Sequence, residues 1–229
     1  MPEKTLLLIG ASRGLGHAMA EEYLKRGWRV VATERNATGS QLHDLAATYG
    51  ARLEIETVDI THPDEVAALR ARLAGRTVDL LFVNAGTKNP DHETIGEVTT
   101  DEFVRVMVTN ALSPMRVVET FHDLVPSGGA IGVMSSGLGS VSNNISGSYE
   151  VYRGSKAALN TLMRSFAARA GNGRTLLTMA PGWVRTDMGG PGASLSIGES
   201  IPNLVDTIEA QRGKTGLQYL DYLGRTVPW

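Results

Sequence analysis

Short apolar runs alternating with amphipathic stretches limit what this chain can fold into. Thr5 to Ile9 is a run of strand length that ends in a glycine-rich turn, Gly10-Ala11-Ser12-Arg13-Gly14-Leu15-Gly16. Leu15, Met19 and Tyr23, with Ala20 and Leu24 beside them, then recur at helical spacing up to Gly27, where glycine suits a helix end. Further strands are expected at Trp28 to Thr33, Leu53 to Val58, Asp79 to Val83, Ala130 to Ser135 and Arg174 to Met179, with a last one at Leu217 to Leu220. Between them, Thr61-His62-Pro63-Asp64 offers a helix start with a capping hydroxyl and an early proline. Thr99-Thr100-Asp101-Glu102 has the capping-box pattern and should open a long helix toward Leu124, bent by Pro114. Tyr149 to Ala170 reads as a helix closed at Gly171. Strand-helix alternation of this kind predicts one α/β domain over residues 1–229, a Rossmann-like, doubly wound parallel sheet with helices on both faces. Ligands then belong at the carboxyl ends of the strands. The segment 188–202, rich in Gly, Ser and Pro, reads as a loop, either mobile over a substrate site or a plain surface excursion.

Composition removes several function classes. A length of 229 residues suits one large domain with a substantial core. The chain has no cysteine, which excludes disulfides, thiolate catalysis and cysteine metal sites. The net charge of -2 argues against a nucleic-acid surface. His17, His43, His62, His92 and His122 show no paired metal-ligand spacing, so no metal is expected. No apolar run reaches membrane-spanning length, and Met1-Pro2-Glu3-Lys4-Thr5 has no signal-peptide layout. A cytoplasmic protein with no membrane or nucleic-acid partner is the expectation.

The glycine turn between first strand and first helix suits a pyrophosphate, because glycines let backbone N–H groups approach it at a helix N-terminus. Four more segments fall just past strands: Glu34-Arg35, Asp59-Ile60, Asn84-Ala85-Gly86 and Pro181-Gly182-Trp183-Val184-Arg185-Thr186. Their recurrence at consecutive strand ends points to a dinucleotide site. Tyr152 and Lys156 stand four residues apart, on one face of a helix, and sixteen residues after Ser136. A nearby ammonium favours the phenolate and should lower the tyrosine pKa toward a useful catalytic range. Ser135 and Ser136 alternate along the strand, so only one can face such a site.

These motifs, with Asn110 in the fourth helix, stand in the order of the classical short-chain dehydrogenases/reductases, which the chain resembles over nearly its whole length. Ser136-Gly-Leu-Gly-Ser-Val-Ser-Asn-Asn, Tyr152-Arg-Gly-Ser-Lys-Ala-Ala-Leu-Asn160 and the ending Tyr-Leu-Asp-Tyr-Leu-Gly-Arg-Thr-Val-Pro-Trp229 resemble the branch of C-factor and sniffer-type carbonyl reductases. The resemblance implies a catalytic tetrad. Tyr152 is the general acid/base, Lys156 tunes it and meets the nicotinamide ribose, Ser136 orients the substrate oxygen, and Asn110 holds a water in a proton relay. The second Ser is the family's choice over Ser135. It also implies hydride transfer between a nicotinamide cofactor and a small-molecule carbonyl or alcohol. Glu34 suits the 2′-OH of NAD(H), whereas Arg13 and Arg35 suit the 2′-phosphate of NADP(H). NADP(H) is favoured on the expectation that the carboxylate turns outward, and NAD(H) is the alternative. Leu138, Val141, Trp183, Met188, Leu195 and Ile197 are candidates for a largely apolar substrate wall with few charges. Phe103, Val106, Phe121, Leu159 and Leu162 are either a homodimer face or core. An NAD-linked alcohol dehydrogenase and a cofactor-binding signalling protein with incidental catalysis are the competing functions.

Overall fold

A computed structural model describes residues 3–36, 39–91 and 93–229. Seven strands form one sheet: β1 (Thr5–Ile9), β2 (Arg29–Glu34), β3 (Leu53–Thr57), β4 (Leu80–Val83), β5 (Ala130–Met134), β6 (Thr175–Ala180) and β7 (Gly216–Asp221). Their order is β3-β2-β1-β4-β5-β6-β7, and every pairing is parallel. Seven α-helices are described: α1 (Gly14–Lys25), α2 (Leu42–Tyr49), α3 (Pro63–Arg72), α4 (Thr100–Met107), α5 (Ser113–Phe121), α6 (Glu150–Ala170) and α7 (Ile197–Gln211). The strand order reverses between β1 and β4, which opens a crevice at their carboxyl ends.

Alternation along each strand divides the core in two. Leu7, Ile9, Leu81, Val83, Ile131 and Val133 pack with α3, α5 and α6 through Leu69, Phe121 and Phe166. Leu6, Leu8, Leu80, Phe82, Leu177 and Met179 pack on the other face with α1, α2 and α7 through Tyr23, Leu42 and Leu204. Strands apolar on both faces are what a parallel sheet sandwiched by helices requires. Val106, Phe121 and Leu159 are core, while Phe103 and Leu162 are exposed.

Three local expectations need correction. The α3 cap is not Thr61: His62 stands at the N-cap without a side-chain bond, and the Thr61 hydroxyl donates to Asp59 Oδ1 at 2.7 Å. The Thr99 hydroxyl does accept from Glu102 N at 3.2 Å, but the Glu102 carboxylate is taken up by Arg105 at 2.7 and 2.8 Å. The helix it opens is interrupted at Val108–Leu112 by a π turn immediately before Ser113-Pro114. Pro114 has no N–H for the α-helical bond, and the wider turn absorbs the mismatch.

Residues 197–202, expected within the loop 188–202, belong to α7 instead. Ser196 and Glu199 form a complete capping box, and Pro202 lies inside the helix. Ile201, Leu204, Val205 and Ile208 hold α7 on the sheet, and this packing outweighs the bond that Pro202 cannot make. Among the described residues no helix is long and apolar enough to cross a membrane.

Candidate active site

The crevice is a cleft of about 1570 Å³ running past the ends of β1, β2, β4, β5 and β6. The glycine turn forms its floor. At Gly10, with φ of +87°, an added Cβ would lie 2.8 Å from Ala85 backbone atoms. At Gly16 it would meet the Gly10 carbonyl and come within 2.6 Å of Asn84 Nδ2. Strand β4 and the turn therefore interlock at a distance only glycine allows. Asn84 secures that contact by donating from Nδ2 to Gly10 O at 2.6 Å, and Thr33 Oγ1 accepts from Gly10 N at 2.9 Å. Helix α1 has no acidic residue in its first turn, which leaves its N-terminal N–H groups free of a competing carboxylate.

Ser12, Arg13, Gly14 and Leu15 line the cleft beside Gly10, as do Glu34, Arg35, Asp59 and Ile60. So do Asn84, Ala85, Gly86, Pro181, Gly182, Trp183, Val184 and Thr186. Gly16 lies behind the turn. Arg13 is exposed, its Nη1 3.5 Å from Asp187 Oδ2. Burial raises the Asp59 carboxyl, but hydrogen bonds from Thr61, with His62 and Arg35 as nearby charges, bring it net below its usual range. Glu34 departs from expectation. Its side chain is 2% exposed rather than turned outward, and Oε1 lies 3.2 Å from His43 Nε2.

At the far end of the cleft, Ser136, Tyr152 and Lys156 come together. Ser135 and Ser136 do diverge. Ser135 Oγ donates inward to Asn160 Oδ1 at 2.6 Å, whereas Ser136 Oγ accepts from Leu138 N at 3.1 Å at the head of a tight turn. Tyr219, behind them, donates its hydroxyl to Ser136 O. Lys156 is 3% exposed and donates from Nζ to Met134 O at 2.8 Å. Its ammonium lies 5.8 Å from the centre of the Tyr152 ring.

The expected lowering of the tyrosine is not what this environment produces. Burial pushes Tyr152 up to about 12, against the opposing influence of the Ser136 hydroxyl and with a further rise from Tyr219. Lys156 does not figure among the influences on it. Burial also disfavours the ammonium, and Lys156 is pushed down from 10.5 to about 8. Burial sets the direction of both shifts.

Asn110 does not line the cleft. It sits in the π turn, fully buried, with Nδ2 donating to Thr87 O at 2.8 Å and Ser155 Oγ at 2.9 Å, and Oδ1 accepting from Thr87 N at 2.8 Å. Ser155 Oγ in turn donates to Tyr152 O at 2.7 Å. The chain of bonds links the loop after β4, the π turn and the first turn of α6. Thr33, Thr87, Ser155 and Tyr219 were not anticipated from sequence. Ser155, the residue before Lys156, carried the clearest signal, since a small hydroxyl there allows close helix contact.

The expected substrate wall is only partly apolar. Leu138, Trp183, Met188 and Ile197 line the cleft, but Val141 is 73% exposed and outside it. Leu195 packs against Gly182 and pairs with Val184. Several charges stand at the mouth, against expectation: Lys88 with Asp91 at 2.5 Å, Arg225 with Asp221 at 2.6 Å, and Arg105. Buried Arg153 bonds to Ser148 O and Ser146 Oγ at 2.6 and 2.9 Å. Among the described residues no group of three or more His, Asp or Glu could hold a metal ion; His92 lies outside them.

A family model described as enoyl-(acyl carrier protein) reductase matches residues 10–203, and the chain belongs to the short-chain dehydrogenase/reductase family. It is similar, at 63% identity and a TM-score of 0.97 over the whole of both chains, to a putative short-chain dehydrogenase/reductase from Burkholderia multivorans with bound NADP. A carbonyl reductase from Pseudomonas aeruginosa PAO1, in complex with NADP, is 36% identical with a TM-score of 0.92, covering 99% of this chain and all of that one. C-signal of Myxococcus xanthus is 34% identical over 66% of this chain and 93% of its own length. These similarities agree with the carbonyl reductase branch that the sequence resembles.

Proposed function

We propose that this protein is an NADP(H)-dependent carbonyl reductase in which Tyr152 protonates the oxygen of a small or medium carbonyl substrate. The carrying observation is that Ser136, Tyr152 and Lys156 come together in the same cleft that the glycine turn floors. The cofactor preference draws on the NADP bound to the Burkholderia and Pseudomonas relatives and on Arg13 and Arg35 beside the turn. When bound, NADPH supplies the hydride.

The chain's own residues do the rest. Gly10, Gly14 and the start of α1 hold the pyrophosphate, with Ser12 and Leu15 beside it. Asp59 and Ile60 border the adenine end, and Asn84 keeps the turn in place. Ala85, Gly86, Pro181, Gly182, Val184 and Thr186 bound the nicotinamide end. Ser136 Oγ donates to the substrate oxygen. Tyr152, raised to about 12, is protonated at neutral pH and so stands in the form that reduction needs. As the carbonyl carbon gains the hydride, the phenolic proton passes to its oxygen and an alcohol forms. Lys156 holds the ribose, and the proton that Tyr152 gives up is restored from solvent between turnovers. Asn110, with both ends of its amide engaged, positions Thr87 and, through Ser155, Tyr152; its expected water relay would have to use its backbone. Leu138, Trp183, Met188 and Ile197 supply the apolar side of the substrate wall, with the segment 188–196 above them.

Tyr152→Phe tests the assignment. Turnover should fall by a factor on the order of 10² to 10⁴, followed as oxidation of NADPH against a panel of ketones and aldehydes, with the NADPH dissociation constant within about twofold of the parent. Near-parental turnover would remove Tyr152 as the acid.

A further inference from the structure

An acidic residue at the end of the second strand ordinarily accepts from the ribose 2′-OH and repels a 2′-phosphate. Glu34 occupies that place and lines the cleft, which sits poorly with a preference for NADP(H). We infer that His43 resolves the conflict as a specificity-determining residue, holding the Glu34 carboxylate away from the 2′ position. The inference rests on the NADP(H) reading above.

Helix α2 places His43 for this role. Leu42 and Leu45 are buried and anchor the helix to the core on one side of the sheet. Ser40 ties its first turn, with Oγ accepting from Leu42 N and its carbonyl from His43 N, both at 3.3 Å. His43 is left half-exposed with Nε2 3.2 Å from Glu34 Oε1. A carboxylate only accepts, so the imidazole donates from Nε2. The second oxygen, Oε2, is buried and has no partner among the described residues. The carboxylate is thus held by a single side-chain bond. Without it both oxygens would be buried and unpaired, and the side chain would turn toward the water of the cleft. There its charge would oppose a 2′-phosphate that Arg13 and Arg35 attract, and its oxygens would welcome a 2′-OH.

Isothermal titration of the purified protein with NADPH and with NADH separates these effects from turnover. The parent should bind NADPH more tightly. In H43A the NADPH/NADH selectivity should fall about tenfold, the order of a close like-charge contact largely screened by water, through weaker NADPH binding. H43Q, which keeps an N–H donor at similar reach, should recover most of the loss, and so should E34Q in the H43A background. If H43A does not fold by thermal melting, H43S carries the same expectation. Selectivity within twofold of the parent in the folded variant overturns the inference, as does failure of E34Q to restore it, since the carboxylate charge is then not the cause. Tighter NADH binding by the parent overturns the cofactor reading itself, which is a separate outcome.

Discussion

Replacing Lys156 by methionine should stabilise the cofactor-free protein while destroying its activity. The ammonium is 3% exposed, and its only hydrogen bond among those of the described residues is to Met134 O at 2.8 Å. Burial moves it from 10.5 to about 8. Below about pH 8 both folded and unfolded chains carry the charge, and the folded chain bears the full penalty. At about 1.4 kcal/mol for each tenfold change in proton affinity, that penalty is about 3 kcal/mol. Methionine has similar length and no charge, but it leaves the Met134 carbonyl without its donor, which costs about 1 kcal/mol. The net gain at pH 7 is about 2 kcal/mol, or a rise in Tm of roughly 4–8 °C for a chain of this size. The sign with pH follows from linkage. Between about pH 8 and 10.5 the unfolded lysine binds more protons than the folded one, so parental stability rises with pH across that window. The advantage of Lys156→Met should therefore shrink from pH 7 to pH 10 and reverse once the lost hydrogen bond is all that remains. Thermal and urea denaturation of both proteins at several pH values, without nucleotide, measures this. A variant less stable than the parent at pH 7, or an advantage constant up to pH 10, would refute the claim that burial of the ammonium dominates its energetics. The expected outcome is a site that trades stability for function.

Ser155→Ala should break the link between Asn110 and the Tyr152 carbonyl, costing about 1–2 kcal/mol in urea denaturation and lowering kcat more than it raises KM for NADPH. Unchanged kcat would mean that the bond serves folding alone. Gly16→Ala puts a methyl against the Gly10 carbonyl and the Asn84 amide, and it should weaken NADPH binding at least tenfold by displacing the turn, a loss of about 1.4 kcal/mol or more. Titration showing parental affinity would show that the turn can shift without consequence.

Much of the fold was legible because the central strands are buried and largely apolar on both faces and bounded by turn residues. All seven strands lie within a residue or two of where patterning puts them. The loop 188–202 misled because Gly and Pro dominate its composition. The better signal was local, the Ser196-to-Glu199 capping pattern followed by Ile201, Leu204, Val205 and Ile208, whose helical spacing persists through Pro202. Pro114 marked a disturbance correctly, but the response, a π turn over residues 108–112, depends on how α4 and α5 pack against α6. That is tertiary information.

The candidate site divides the same way. Positions were legible: nearly every residue assigned to the cleft lines it, because strand ends and helix starts converge there by topology. Electrostatics were not. The four-residue step between Tyr152 and Lys156 gives proximity, but the direction of their pKa shifts depends on depth of burial, which no spacing encodes. Proximity alone predicts a lowered tyrosine, whereas desolvation raises it and lowers the lysine instead. Glu34 shows the same limit. Its identity suggests a 2′-OH acceptor, but its carboxylate is buried beside the imidazole of His43, nine residues away in a helix whose docking had first to be known. Residue type locates the chemistry in this fold, and the local environment sets its sign.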